Sequence, residues 1–159
     1  MANQRGPCTI LMAEDDADDC LLVQEALRET KQPHDLRIVR DGQQLLDYLR
    51  GRGDYQKSHD APRPDLILLD LKMPKKDGRE ALSELKADPR LRSIPIVVLT
   101  TSTARDDIGF CYRMGVNSYV TKPATFRALV DLVSTLSKYW FELVELPVVE
   151  YDRREDEIE

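Results

Sequence analysis

Five short, mostly apolar runs punctuate the chain, and each stops on polar or charged residues. Cys8–Ala13 ends at Glu14-Asp15-Asp16, and Leu36–Val39 is closed by Asp41-Gly42. Leu66–Leu69 stops on Asp70, Ile94–Leu99 on Thr100-Thr101-Ser102, and Tyr119-Val120 on Thr121-Lys122-Pro123. The unbroken Leu66-Ile67-Leu68-Leu69 reads as a strand buried on both faces, as in the middle of a parallel sheet. Between the runs the apolar spacing turns helical. Ala17–Thr30 carries Leu21, Leu22, Ala26 and Leu27, with Asp16 as N-cap. Gln43–Arg50 turns Leu45, Leu46 and Leu49 inward, and Arg79–Ala87 does so with Ala81, Leu82 and Leu85. Ala104–Met114 holds Ile108, Phe110 and Cys111, with Gly115 as C-cap. A last helix covers Thr125 to Leu143, and Gly51–Arg63 is a loop.

Strand and helix alternate five times, which predicts a parallel five-stranded sheet with helices on both faces. The right-handed crossover rule leaves few arrangements. The expected fold is α/β, a flavodoxin-like doubly wound sheet in the order 2-1-3-4-5. One domain spans residues 8–146, with an extended final helix. Residues 147–159 form an acidic tail expected to be disordered.

In such a sheet the C-terminal strand ends share one rim, where ligands bind. The rim then gathers Glu14 and Asp15 from strand one, Asp70 from strand three, Thr100 from strand four and Lys122 from strand five. Taken singly, each has a bland explanation, because polar residues commonly serve turns at strand ends. Their convergence from four strands is the signal. Three crowded carboxylates repel unless a cation intervenes. Mg²⁺ suits an oxygen-only set, with Asp15 and Asp70 as direct ligands and Glu14 acting through water. Lys122 offers a point charge and Thr100 a short hydroxyl donor to phosphoryl oxygens. Together they fit Asp70 for accepting a phosphoryl group in line, a task of positioning and electrostatics.

Composition narrows the classes. The chain has 159 residues, enough for one domain. Its net charge of −6 argues against nucleic-acid binding through a basic face. No apolar stretch approaches the ~20 residues needed to span a bilayer, and the polar run Met1–Pro7 does not read as a signal peptide. Cys8, Cys20 and Cys111 lack paired spacing and read as thiols of a reducing cytoplasm. His34 and His59, the only histidines, lie far in sequence from the candidate nucleophile.

The combined set (Glu14-Asp15, Asp70 with Met73-Pro74 and Gly78, Thr100, Tyr119, Lys122-Pro123) resembles the receiver domain of two-component response regulators. The resemblance covers residues 8–137. It implies phosphorylation of Asp70 by a histidine kinase, with Mg²⁺ held by Asp15, Asp70 and the main-chain carbonyl of Lys72. It further implies a switch in which Thr100 moves toward the phosphoryl group and Tyr119 rotates inward. The surface of helix four, strand five and helix five would then change partners. It also suggests a cis Lys122-Pro123 bond, although X-Pro bonds are cis in only about 5–6% of cases.

Leu99-Thr100-Thr101-Ser102, Pro74–Glu80, the long loop before strand three and Tyr139–Pro147 are similar to the stand-alone regulators that partner cyanobacterial and bacterial phytochromes. That likeness implies a light-regulated histidine kinase as donor. Two positions depart from the common receiver pattern. Thr101 follows the switch threonine where many receivers have a smaller residue, and Lys72 replaces an amide two residues after the acceptor. Lys72 could pair with the phosphoryl group or block an attacking water, so slow self-dephosphorylation is expected.

Tyr139, Trp140, Phe141, Leu143, Val144 and Leu146 continue past the expected domain edge. Such an apolar patch marks a partner surface, here a homodimer through helix four, strand five and helix five that residues 139–147 complete. The alternative is that the segment folds back on its own sheet. Tyr151–Glu159 is too short for a DNA-binding output domain.

Two other classes fit less well. An aspartate-nucleophile phosphatase usually needs a second acid two residues after the nucleophile, where Lys72 stands. A flavodoxin-like carrier needs a phosphate-cradling loop where Glu14-Asp15-Asp16 would repel phosphate. A phosphorylation-independent interaction module is the remaining option, though every expected site position is filled. The reading is a phosphoacceptor rather than an enzyme.

Overall fold

The computed structural model describes residues 6–30, 33–56 and 60–148. Its strands are β1 (Cys8–Ala13), β2 (His34–Val39), β3 (Leu66–Leu69), β4 (Ile96–Thr100) and β5 (Ser118–Thr121). Its α-helices are α1 (Ala17–Arg28), α2 (Gly42–Arg50), α3 (Gly78–Ala87), α4 (Arg105–Met114) and α5 (Phe126–Lys138). All strand pairs are parallel, in the order β2-β1-β3-β4-β5. The expected doubly wound topology is the one observed.

Strand alternation divides the core in two. Leu11, Ala13, Ile67, Leu69, Ile96 and Val98 face the layer of α2, α3 and α4. Their neighbours Ile10, Met12, Leu66, Leu68, Val97 and Leu99 face α1 and α5. Successive side chains of a strand point to opposite faces, so a central strand covered on both sides must be apolar throughout.

Local chemistry sets the helix ends. Asp16 caps α1, its side chain accepting from the N–H groups of Asp18 and Asp19. Asp41, Asp77 and Thr125 cap α2, α3 and α5 in the same way. Gly115 ends α4 at φ 96°, a left-handed conformation that suits glycine. Gly78 is needed for another reason. A Cβ there would stand 2.3 Å from the Asp70 carbonyl oxygen, so the start of α3 can lie against the turn after β3 only without a side chain.

Several expectations need correction. In α1 the inward residues are Cys20, Val23, Ala26 and Leu27, while Leu21 and Leu22 are exposed. The cap at Asp16 fixes the helix phase, and that phase turns the two leucines outward. Phe126, at the start of the last helix, is also exposed. The Gly51–Arg63 loop contains a short 3₁₀ turn, Gly53–Tyr55. There are no cis peptide bonds among the described residues, so Lys122-Pro123 is trans. Its lysine is carried to the rim by an ordinary ladder bond, Lys122 N–H to the Thr100 carbonyl at 2.8 Å.

The largest correction concerns the end of the chain. The α-helix stops at Lys138, and Tyr139–Leu143 forms a π-helical turn. Trp140 and Phe141 are buried in the α1–α5 core, with Val144 and Leu146 packed partly against it. Much of the segment therefore folds back. Leaving an indole and a phenyl ring in water would forgo about 1.5–3 kcal/mol or more for each. Tyr139 and Leu143 remain on the outside. Of the tail 147–159 expected to be disordered, residues 149–159 lie outside the described residues.

Candidate functional site

Strand register builds the site. Ala13 pairs with both Val39 and Leu69, Leu69 with Val98, and Thr100 with Thr121. The first residue beyond three of these strands is held by one further ladder bond. Glu14 N–H donates to the Val39 carbonyl at 3.0 Å, Asp70 N–H to the Ala13 carbonyl at 3.0 Å, and Lys122 N–H to Thr100. Each side chain thus leaves the rim from a fixed backbone.

The carboxylates of Glu14, Asp15 and Asp70 each place an oxygen within 4.8 Å of the other two. Asp70 and Glu14 are buried, whereas Asp15 is exposed. The Lys122 ammonium reaches into the same cluster. Its Nζ lies 2.6 Å from Glu14 Oε2, 2.7 Å from Asp19 Oδ2 and 3.2 Å from Asp70 Oδ2. Thr100 is fully buried, and its side chain helps hold the Asp70 carboxyl low. Lys72 N–H donates to Asp70 Oδ1 at 3.3 Å, while its ammonium turns away to Thr101 Oγ1 at 3.3 Å.

The two buried acids are pushed in opposite directions. Burial drives the Glu14 carboxyl up to about 7, against the hydrogen bond from Lys122 and with the help of nearby Asp70. Burial would raise Asp70 too, but hydrogen bonds from Thr100 and Glu14 and the Lys122 charge hold it below the usual aspartate range. A proton shared between neighbouring acids thus favours Glu14 and leaves Asp70 ionised, as a carboxylate nucleophile must be. Burial also works against the Lys122 charge. Its hydrogen bonds to Asp19 and Glu14 outweigh that, and the ammonium stays charged above its ordinary range. The donor set is all oxygen, compact and open to solvent on the Asp15 side, which fits a small, hard divalent cation.

Tyr119 stands apart from this cluster. Its ring packs against the α2–α4 core and its hydroxyl donates to the Ser102 carbonyl at 2.8 Å. Ser102 is a junction that the sequence reading passed over. Its N–H approaches Thr100 Oγ1 at 3.5 Å, and its hydroxyl donates to Asp107 Oδ2 at 2.5 Å. Asp107 in turn accepts from Arg79 of α3 at 2.9 Å, and the Arg79 guanidinium lies 4.2 Å from the Phe110 ring centroid. Asp19, in the first turn of α1, was also missed. The three cysteines are buried and free of disulfides.

A family model for the response regulator receiver domain matches residues 10–134. The chain belongs to that family. Among curated receivers it is 46% identical to response regulator Rcp1 of Synechocystis sp. over 141 residues, which span 89% of this chain and 94% of Rcp1. A solved structure of the phosphorylated cyanobacterial phytochrome response regulator RcpA superposes with a TM-score of 0.83. It shares 45% identity, and the match covers 90% of this chain and all of that one. The Mn²⁺-bound form of Rcp1 gives a TM-score of 0.82 at 46% identity, covering 89% of this chain and all of that one. The receiver is therefore related to phytochrome response regulators. No helix among its described residues is long and apolar enough to cross a membrane.

Proposed function

We propose that this receiver accepts a phosphoryl group on Asp70 from a histidine kinase, in a Mg²⁺-dependent reaction. The carrying observation is the placement of a buried, ionised Asp70 between Lys122 and the acids Glu14 and Asp15. Asp15, Asp70 and the main-chain carbonyl of Lys72 would hold the cation, with Glu14 acting through water. Bound there, the cation screens the approach of an anionic donor to a carboxylate.

In the transfer an Asp70 oxygen lone pair forms the new O–P bond. The donor's bond to phosphorus breaks, and its electron pair leaves with the donor. Lys122 and Thr100 are each placed to bond a phosphoryl oxygen, and the Lys72 N–H holds the carboxylate in orientation. The chain is an acceptor and signal carrier rather than an enzyme.

The relatives named as phytochrome response regulators support a phytochrome-type kinase as the donor, and the three free cysteines support a cytoplasmic setting. Thr100 and Tyr119 are the proposed switch pair. Their link through Ser102 offers a route from the acceptor to α4. Tyr112, Tyr139 and Leu143 are exposed, which supports a homodimer face built on α4, β5 and α5. The unit that does this spans residues 8–146.

The test is incubation with acetyl phosphate and Mg²⁺, followed by intact mass and oligomer size. Wild type should gain one phosphoryl group, and Asp70→Asn should gain none. Equal labelling of both would refute the proposal.

A further inference from the structure

Lys122 has three N–H donors, and three carboxylates take them. The ammonium lies closer to Asp19, at 2.7 Å, than to Asp70, at 3.2 Å. Asp19 is not part of the compact acid set formed by Glu14, Asp15 and Asp70. Its side chain is 34% exposed, and it borders a cleft of about 70 Å³ between α1 and the start of α5, beside Leu22, Pro123 and Phe126. The α1 cap fixes its backbone, since Asp19 N–H donates to Asp16 Oδ1 at 3.0 Å. A first-turn acid also suits the helix dipole. Asp18 provides that one position earlier, exposed to solvent, and has no contact with the lysine.

A phosphoryl group on Asp70 adds strong acceptor oxygens and about −1.5 to −2 of charge. The N–H that meets Asp70 Oδ2, at 3.2 Å, passes to such an oxygen, and drawing the ammonium closer to it, with no fourth donor to spare, stretches one of the two shorter contacts, to Glu14 or to Asp19. Glu14 is 1% exposed at its side chain, and abandoning it would leave a buried acceptor without its partner. Asp19 can be taken over by water at little cost.

We infer that Asp19 is a positioning residue that competes with the phosphoryl group for the Lys122 ammonium. It holds the lysine on the α1 side in the free protein and yields it when Asp70 is occupied. The competition sets how tightly the site holds a phosphoryl group. This rests on the phosphoacceptor reading of Asp70.

The experiment is calorimetric titration of the full chain with beryllofluoride, a tetrahedral stand-in for a carboxylate-bound phosphoryl group, in the presence of Mg²⁺. Asp19→Asn should bind about two- to fivefold tighter than wild type, the range expected for a half-exposed ion pair. Asp19→Glu, which keeps the competing charge, and Asp18→Asn, which removes a nearby charge without touching Lys122, should match wild type. Unchanged or weaker binding by Asp19→Asn would overturn the inference. So would equal tightening in Asp18→Asn or Asp19→Glu. If wild type does not bind, or Asp70→Asn binds as well, the phosphoacceptor reading itself has failed. If those two behave as expected and Asp19→Asn is neutral, only the role of Asp19 is lost.

Discussion

On one flank of Asp70 stand Glu14, Asp15, Asp19 and Lys122, all ionisable, and the Lys122 ammonium lies 2.6 Å from Glu14, 2.7 Å from Asp19 and 3.2 Å from Asp70. On the other stand Thr100, Ser102 and Tyr119, which meet through hydroxyl and main-chain groups. The first flank carries charge and ends at the rim. The second is uncharged at Thr100, Ser102 and Tyr119 and runs away from the rim, to the Asp107–Arg79 ion pair that joins helices α4 and α3. Charge is suited to capturing an anion, because in a partly buried site it acts strongly over short distances. A chain of directional hydrogen bonds is suited to reporting the capture, because it can hold one of two discrete arrangements.

If that division is right, substitutions on the two flanks should fail in different ways. The largest effect belongs to Lys122→Met. It removes the only cation whose contacts reach Glu14 and Asp70 among the described residues, and phosphorylation by acetyl phosphate should slow by about a hundredfold. Stopped-flow or timed mass measurements read this directly. A rate within twofold of wild type would break the charged half of the comparison.

Thr100→Val comes next, because Thr100 belongs to both flanks. Loss of its hydroxyl removes a hydrogen bond to a charged, buried acceptor. That should slow acceptance by about tenfold and lower the stability of the free protein by about 1.5 kcal/mol. Denaturant titration checks the second figure.

Ser102→Ala should separate the halves. Phosphoryl acceptance should stay within about twofold of wild type, since no Ser102 atom bonds Asp70. Amide exchange across Arg105–Met114 should speed up, because the serine hydroxyl ties Asp107 and the Ala104 N–H to the loop before α4. The acid limb of stability should also change. The Ser102 hydrogen bond, opposed by burial and aided by Arg79, holds the Asp107 carboxyl below its ordinary 3.8. A depressed acid contributes stability that is present above its unfolded value and lost as pH falls through the folded one. Without the hydroxyl, this loss on acidification should be smaller. A fall in phosphorylation as deep as that of Lys122→Met would erase the distinction between the flanks.

Much of the charged flank is legible in the amino-acid sequence. The strand pattern places Glu14, Asp15, Asp70, Thr100 and Lys122 on one rim, because parallel strands share a direction and each apolar run ends on its functional residue. What escapes notice lies one step from the strands. Asp19 sits on a helix, and its contact with Lys122, 103 residues away, depends on tertiary packing that no local pattern records. Ser102 and Asp107 read as ordinary turn and helix polar residues, since a contact between a loop hydroxyl and a helix acid has no periodic signature.

The fold-back of the C-terminal segment does leave a trace. Leu129, Val133, Leu136, Trp140 and Val144 keep a spacing of three to four residues, so the buried stripe of α5 continues through the extension. The dimer expectation gives more weight to the number of apolar residues than to their phase. Tyr139 and Leu143, the two large apolar residues of the turn that point outward, are what is left for a partner.

The smallest expected effect concerns Lys72. Its ammonium bonds Thr101 across the mouth of the site, at 3.3 Å, where it could obstruct an attacking water. Lys72→Ala should shorten the phosphoryl lifetime by a few-fold while leaving acceptance unchanged. Wild type freed of donor should keep its label well beyond seconds, and loss within seconds would contradict the slow dephosphorylation expected for this pair.

The central claim is that Asp70, and no neighbouring acid, forms the acyl phosphate. Borohydride reduces an aspartyl phosphate to homoserine, which peptide mass mapping can locate. After treatment with acetyl phosphate and Mg²⁺, the account predicts homoserine at position 70 alone. Reduction at Asp15 or Asp19, at the equivalent carboxyl of Glu14, or at no acid in a chain that has gained a phosphoryl group, would contradict it.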